Sequence, residues 1–187
     1  MNDISPRLRQ AHLLTISALV GLEYLQSVMA SFASSYIMGG IDAAPEEFSL
    51  ATAVYAGAAV VMLFKHRVLV QKLGYRRFIR LSLLAFALGA LLTGLAHDMP
   101  SYLAGRVVQA LGGAAFFTGS RVQVNHYQGP ERLMAIKRFA TGIFLGSGLA
   151  PFLGAHLVDA WGWRAVFLAM LPLTAIVAGL VEYALPD

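Results

Sequence analysis

Residues 17–35 read SALVGLEYLQSVMASFASS, an apolar, helix-compatible stretch carrying one acid, Glu23, with no basic residue downstream before Lys65. A carboxylate set among leucine, valine, tyrosine and methionine is costly unless it finds partners. The solvent around this stretch therefore decides both the fold and the purpose of Glu23.

Composition identifies that solvent. Of 187 residues, 58% are hydrophobic and 13% charged, and the mean hydropathy is +0.66. Soluble domains lie near about 45–50% apolar and about 25% charged. The excess comes in blocks. Predominantly apolar runs of roughly 18 residues or more, the length that crosses a hydrocarbon core, lie near 12–38, 46–64, 79–96, 101–120, 139–158 and 165–184. Glu23 interrupts the first, Arg106 the fourth, and Glu182 sits near the end of the last. Residues 1–187 thus read as a single all-α domain, a polytopic transmembrane six-helix bundle. The first run continues beyond the small residues of MASFAS (29–34) to Ile41, so it reads as a membrane helix and not as a cleaved leader. There is no cysteine, which excludes disulfides and thiolate metal sites.

The basic residues predict the orientation. Arg7 and Arg9 precede the first run; Lys65, Arg67, Lys72, Arg76, Arg77 and Arg80 lie between the second and third; Arg121, Arg132, Lys137 and Arg138 lie between the fourth and fifth. Alternate crossings place all of these on one side. The opposite segments carry Arg164 with the acids Asp42, Glu46, Glu47, Asp98 and Asp159. This bias predicts both termini in the cytoplasm, and with it a multi-pass protein of the inner (plasma) membrane. The net charge of +4 follows from topology. No basic patch interleaved with aromatics suggests nucleic acid.

Local signals agree with these boundaries. DAAPEEFSLA (42–51) sets Pro45 in a first turn, followed by Glu46 and Glu47 at the positive end of the helix dipole. HDMPS (97–101) predicts a tight turn, and YQGPERL (127–133) leads to the fifth run. Trp161 and Trp163 read as interface anchors, and His66 and His126 as solvated or near lipid headgroups. No sequence echo relates 1–98 to 99–187.

The polar residues inside the runs carry the chemistry. Helical spacing groups Glu23, Gln26, Ser27, Ala30, Ser31 and Ser34 on one face of the first helix, and Arg106, Gln109 and Gly113 on one face of the fourth. At about 1.5 Å per residue, Glu23 lies roughly 16 Å from the cytoplasmic end of its run and Arg106 roughly 9 Å from the opposite end of its own. In a core about 30 Å thick they fall within about 5 Å of the same depth. We therefore expect a Glu23–Arg106 pair, direct or through water or Gln109. Two readings of it are open. One is a structural ion pair holding the bundle together. The other is a proton-coupling site in which burial favours the neutral acid, Arg106 favours the carboxylate, and a conformational change alters the balance. Gln26, Ser27, Ser31, Tyr55 and Gly113 would line the adjoining substrate cavity, although an interhelical hydrogen bond explains Tyr55 equally well.

In the fifth run Gly142, Gly146, Ala150 and Gly154 recur at every fourth position, a flat ridge for close helix packing. Pro151 removes one backbone hydrogen bond and predicts a kink. His156 and Asp159 form an H-x-x-D pair, but two ligands do not make a metal site, and a hydrogen bond at the interface is the favoured reading. No nucleophile–base set, phosphate loop or metal cluster appears, so neither an enzyme nor a bound cofactor is expected.

GRVVQALGGAA (105–115) resembles the R-x-x-Q-x-x-G pattern in the fourth helix of the major facilitator superfamily. GIFLGSGLAPFLGA (142–155) resembles the glycine-rich fifth-helix motif of its drug:proton antiporters, best matched in the fourteen-helix branch. GPERLMAI (129–136) and DAWGWRAVFLAMLP (159–172) are similar to the segments leading into the family's fifth and sixth helices. The resemblance covers nearly the whole chain as the amino-terminal six-helix half of the fold. It implies proton transfer at Arg106, the place of the first-helix acid for Glu23, and an antiporter motif at Gly142, Gly146, Ala150, Pro151 and Gly154. The loop between the second and third helices departs from the family's Gly-x-x-x-Asp-Arg-x-Gly-Arg-Arg/Lys. Here RVLVQKLGYRR (67–77) puts Arg67 at the first glycine, Gln71 at the aspartate and Lys72 at the arginine. Gly74, Arg76 and, with Arg77, the basic character of this gate loop survive.

The function expected is proton-coupled export of a hydrophobic or amphipathic small molecule. Its partners would be the lipid bilayer, protons and a second six-helix half or a homodimer partner. Two alternatives are a non-transporting membrane subunit or scaffold and an intramembrane receptor for a lipophilic ligand.

Overall fold

A computed structural model describes residues 6–185. Eight helices follow in order: α1 (Pro6–Phe32), α2 (Ser34–Gly40), α3 (Pro45–Leu73), α4 (Tyr75–Gly94), α5 (Met99–His126), α6 (Gly129–Trp161), α7 (Arg164–Leu168) and α8 (Met170–Ala184). The first predicted run is thus split, with a turn at Ala33 dividing α1 from α2. The sixth is split at Ala169. Pro172 lacks the N–H that would bond the Leu168 carbonyl, which accounts for that break.

The connections are shorter than the sequence suggested. The basic stretch after the second run is helical almost throughout, because α3 continues to Leu73 and α4 starts at Tyr75. A single residue, Gly74, turns the chain with φ 79°, a backbone region that disfavours side-chained residues. Asp98 caps α5, its Oδ1 accepting from the Ser101 N–H at 2.9 Å. Glu47 accepts from the Ala44 N–H at 2.9 Å and closes the start of α3.

Among the described residues five spans are long and apolar enough to cross a membrane: α1, α3, α4, α6 and the α7–α8 pair. The remaining long helix, α5, has 28 residues but is richer in polar and small ones. It is the central helix, packed against α3, α4, α1 and α6. Gly105, Arg106, Gln109, Gly112, Gly113, Thr118, Gly119 and Ser120 are buried on it. A helix sheathed by neighbours has no need of an apolar surface, whereas a helix facing lipid does. Leucines and phenylalanines on the outer helices, among them Leu84, Phe144, Phe152 and Ile176, accordingly point outward.

The main seams are α1 with α6 and α4 with α5. The expected ridge on α6 builds the first. Gly142 lies under the Ser17 carbonyl and Gly146 under that of Gly21, so close that a Cβ at either position would collide. Ala150 is fully buried, and the site of a Gly154 Cβ lies 3.5 Å from Met29 Cγ. The Ser17 hydroxyl also donates to the Arg138 carbonyl at 2.5 Å. Helix α6 remains continuous through Pro151.

The residues next to both described ends, Leu8, Arg9 and His12 on one side and Ala184 and Leu185 on the other, border one cavity, so both ends lie at one end of the bundle. There Arg76 donates to Glu182 Oε2 at 2.8 Å, and Arg80 also contacts Glu182. Of the expected gate residues, Arg76 therefore holds the last turn of α8, together with Arg80, while Arg77 is exposed. At the opposite end Trp163 is buried against Tyr102 and Phe167. Only Trp161, 69% exposed, fits the anchor expected of both.

Candidate transport site

Helices α1, α3 and α5 converge around Glu23. The Tyr55 hydroxyl, from α3, donates to Glu23 Oε1 at 2.7 Å. Ser27, one turn along α1, donates to the same oxygen at 3.2 Å. The second carboxylate oxygen, Oε2, is buried and has no hydrogen-bond partner. It lies against Gly113 of α5 so closely that a Cβ there would overlap it. Buried acceptors without partners are uncommon, and each calls for an explanation.

Arg106, 8% exposed, makes no direct ion pair with Glu23 among the described residues, one of the forms of pairing expected. Its Nη1 donates to Gln109 Oε1 at 2.7 Å, and its Cζ stands 4.1 Å from the centre of the Tyr55 ring. A guanidinium over an aromatic face is attracted by the ring's quadrupole, an interaction that strengthens on desolvation. Tyr55 is thus the intermediary, with its hydroxyl on the acid and its ring under the cation. Sequence spacing could place acid and base at one depth but could not show which side chain would fill the gap.

The structure brings Glu23, Ser27, Tyr55, Arg106, Gln109 and Gly113 together; of the residues expected to line the substrate cavity, Ser27 borders the cavity described below, and Gln26, Ser31, Tyr55 and Gly113 are not on its lining. Gln26 is fully buried one turn from Glu23, its amide oxygen and nitrogen both without partners, and Gln109 Nε2 is likewise unpartnered. Ser31 is exposed on the same helix and donates to the Ser27 carbonyl at 3.0 Å. Gly142, Gly146, Ala150, Pro151 and Gly154 lie apart from this cluster on α6, where the glycines form the seam with α1. Gly74, Arg76 and Arg77 lie at the end of the bundle that holds both described termini.

A cavity of about 430 Å³ runs from Glu23 along α1, α3 and α5. Tyr24, Ser27, Ala59, Val60, Leu63, Ala114, Phe117, Thr118 and Arg121 line it. An apolar wall with a few convergent polar groups is the usual form of a small-molecule site. Phe117 pairs with Tyr24 at 6.1 Å between ring centroids.

His66 corrects the sequence reading. It is not solvated in a loop but lies inside α3, 7% exposed, edge-on to Phe78 at 4.9 Å. Its Nδ1 is 3.1 Å from the Thr118 hydroxyl. The available signal was the spacing from Tyr55: eleven residues bring a helical side chain back to within about 20° of the same face. His126 is exposed as expected, and His156 packs edge-on against Trp161 at 6.1 Å. No group of three or more potential metal ligands occurs among the described residues.

A bundle of helices long and apolar enough to cross a membrane, with a buried polar layer and a cavity open beside it, is the architecture of a polytopic membrane protein. Residues 16–187 match the family model of the Major Facilitator Superfamily, and the chain belongs to that superfamily, whose members are transporters and not enzymes. It is 28% identical over 156 residues to the multidrug resistance protein Stp of Mycobacterium tuberculosis, covering 82% of this chain and 29% of that one. It is 36% identical over 116 residues to the multidrug resistance protein B homolog of the same organism, covering 60% of this chain and 21% of the relative. The chain thus spans less than a third of either relative's length. A crystal structure of a bacterial homolog of the human lysosomal transporter Spinster, inward-facing and unoccupied, superposes with a TM-score of 0.85 at 18% identity. The match covers 98% of this chain and 44% of that one, and it shows the fold.

Proposed function

We propose that the protein is a proton-coupled exporter of hydrophobic or amphipathic small molecules across the inner (plasma) membrane, with both termini cytoplasmic. A second six-helix bundle, joined in one chain or supplied by another copy, completes the path. The observation that carries this reading is the arrangement Glu23–Tyr55–Arg106. An acid held by a neutral hydroxyl, with one oxygen unpartnered and a cation one ring away, can gain or lose a proton without stranding a charge. A directly salt-bridged acid would resist protonation.

The names of the relatives support drug-like substrates, and the aromatic and aliphatic cavity walls suit them. The sparse burial of α3, where Ala51 and His66 alone are buried, supports a second bundle packed on that side. The gathering of Arg9, Arg76 and Arg77 at the end holding both described termini supports the cytoplasmic assignment.

The experiment is transport by the intact protein in proteoliposomes holding a trapped pH indicator, with ethidium as the lipophilic probe. Wild-type protein should move protons in exchange for ethidium. Glu23→Gln should bind ethidium and remain folded yet fail to exchange it for protons. Proton exchange at the wild-type rate by that variant would overturn the reading.

A further inference from the structure

We propose that His66, held by Thr118, is a second proton-binding station between Glu23 and the basic end of the bundle. The inference rests on the proton-coupled reading above and deepens it. Helix α3 presents Tyr55 and His66 on one face, eleven residues and about 16 Å apart, with Ala59 and Leu63 between them lining the cavity. At one end of that cavity Tyr55 bonds Glu23. At the other, Thr118 bonds His66. On α5 Thr118 is five residues from Gly113, roughly 7–8 Å beyond the carboxylate along the helix axis. The space between has room for several water molecules, each occupying about 30 Å³.

The hydrogen bonding assigns the ring's chemistry. Thr118 Oγ1 donates its one hydrogen to the Ala114 carbonyl at 2.9 Å. With that hydrogen so used, the same oxygen is free to accept from His66 Nδ1, 3.1 Å away, and the tautomer that does so carries its lone pair on Nε2. A proton leaving the Glu23 carboxyl travels along cavity water, binds Nε2 to give the imidazolium, and departs from Nε2 to water at the basic end. The acid is left as carboxylate, and the imidazole returns to its starting tautomer.

The groups placed against this station are Thr118 from α5 and the Phe78 ring from α4; on α3 itself, Lys65 and Arg67 flank it and are exposed. The charged residues lining the cavity are Glu23 and Arg121.

The test is the pH profile of ethidium-driven proton movement by the intact transporter in proteoliposomes. His66→Gln preserves a donor for Thr118 but does not titrate. It should lower proton movement at least tenfold and remove from the pH profile the limb that the imidazole supplies, with ethidium binding unchanged. Thr118→Val removes the tether and keeps the ring; it should shift the same limb without removing it. An unaltered profile in both variants, with Glu23→Gln inactive, would refute the relay while leaving the role of Glu23 intact. If Glu23→Gln also exchanges protons normally, the underlying reading fails instead. Should His66→Gln fail to fold, Thr118→Val decides alone.

Discussion

Tyr55 donates a 2.7 Å hydrogen bond to Glu23 across the gap between α3 and α1. The same tyrosine offers its ring to Arg106 at 4.1 Å, so a neutral side chain joins the acid to the base. Removal of the hydroxyl alone separates these two functions. Tyr55→Phe should fold, retain the cation–π contact and lower proton-coupled exchange about tenfold, the usual scale for one hydrogen bond to a charged group. Proteoliposome exchange rates measure this, and wild-type coupling in the variant would show that the bond is dispensable.

Gly113 is required where it stands because Glu23 Oε2 occupies the space of a Cβ. Gly113→Ala should displace the carboxylate and reduce coupled exchange at least as much as loss of Tyr55. Gly148→Ala is the matched control, since its Cβ would meet nothing within 4 Å, and its activity should be unchanged.

The α1–α6 seam has no room for added volume. At Gly146 a Cβ would meet the Gly21 carbonyl and lie 3.0 Å from the Leu25 nitrogen. Overpacking of this kind costs about 1–3 kcal/mol. Gly146→Ala should lower the midpoint of thermal unfolding in detergent, and Gly146→Leu should lower it further. An unchanged midpoint for the leucine variant would mean that the helices part without cost.

Asp98 gives the start of α5 a pH dependence. Hydrogen bonds from the Ser101 hydroxyl and N–H hold its carboxyl below the ordinary aspartate range. A group lowered on folding stabilises the folded state above its unfolded value, and that contribution disappears as pH falls through the folded value, hence below about pH 4. Amide protection factors at Met99, Ser101 and Tyr102, taken relative to the intrinsic exchange rate at each pH, should fall on acidification in the wild type. In Asp98→Asn, which caps without ionising, they should depend much less on acid.

The spans and their polar residues were legible because hydropathy and helical period are local properties. The α6 ridge was equally plain, since every-fourth-residue spacing fixes a face whatever it meets. The identity of that face's partner was not local. Nor was the fate of His66, whose basic neighbours Lys65 and Arg67 suggest a solvated loop. Helix α3 instead runs on to Leu73, and Thr118 and Phe78 enclose the ring. Trp163 was misread for the same reason: the pocket that buries it is formed by residues far away in the chain.

By itself, the sequence determined that this chain crosses a bilayer on long helices and carries Glu23 and Arg106 at similar depth. Lipid cannot hydrogen-bond a backbone, so apolar length alone dictates helix. Only the tertiary structure decided that Tyr55 separates the acid from the base and that Thr118 and Phe78 enclose His66. Those facts depend on the rotation and offset of three helices against one another. Interhelical packing sets these, and no periodicity within one helix records them.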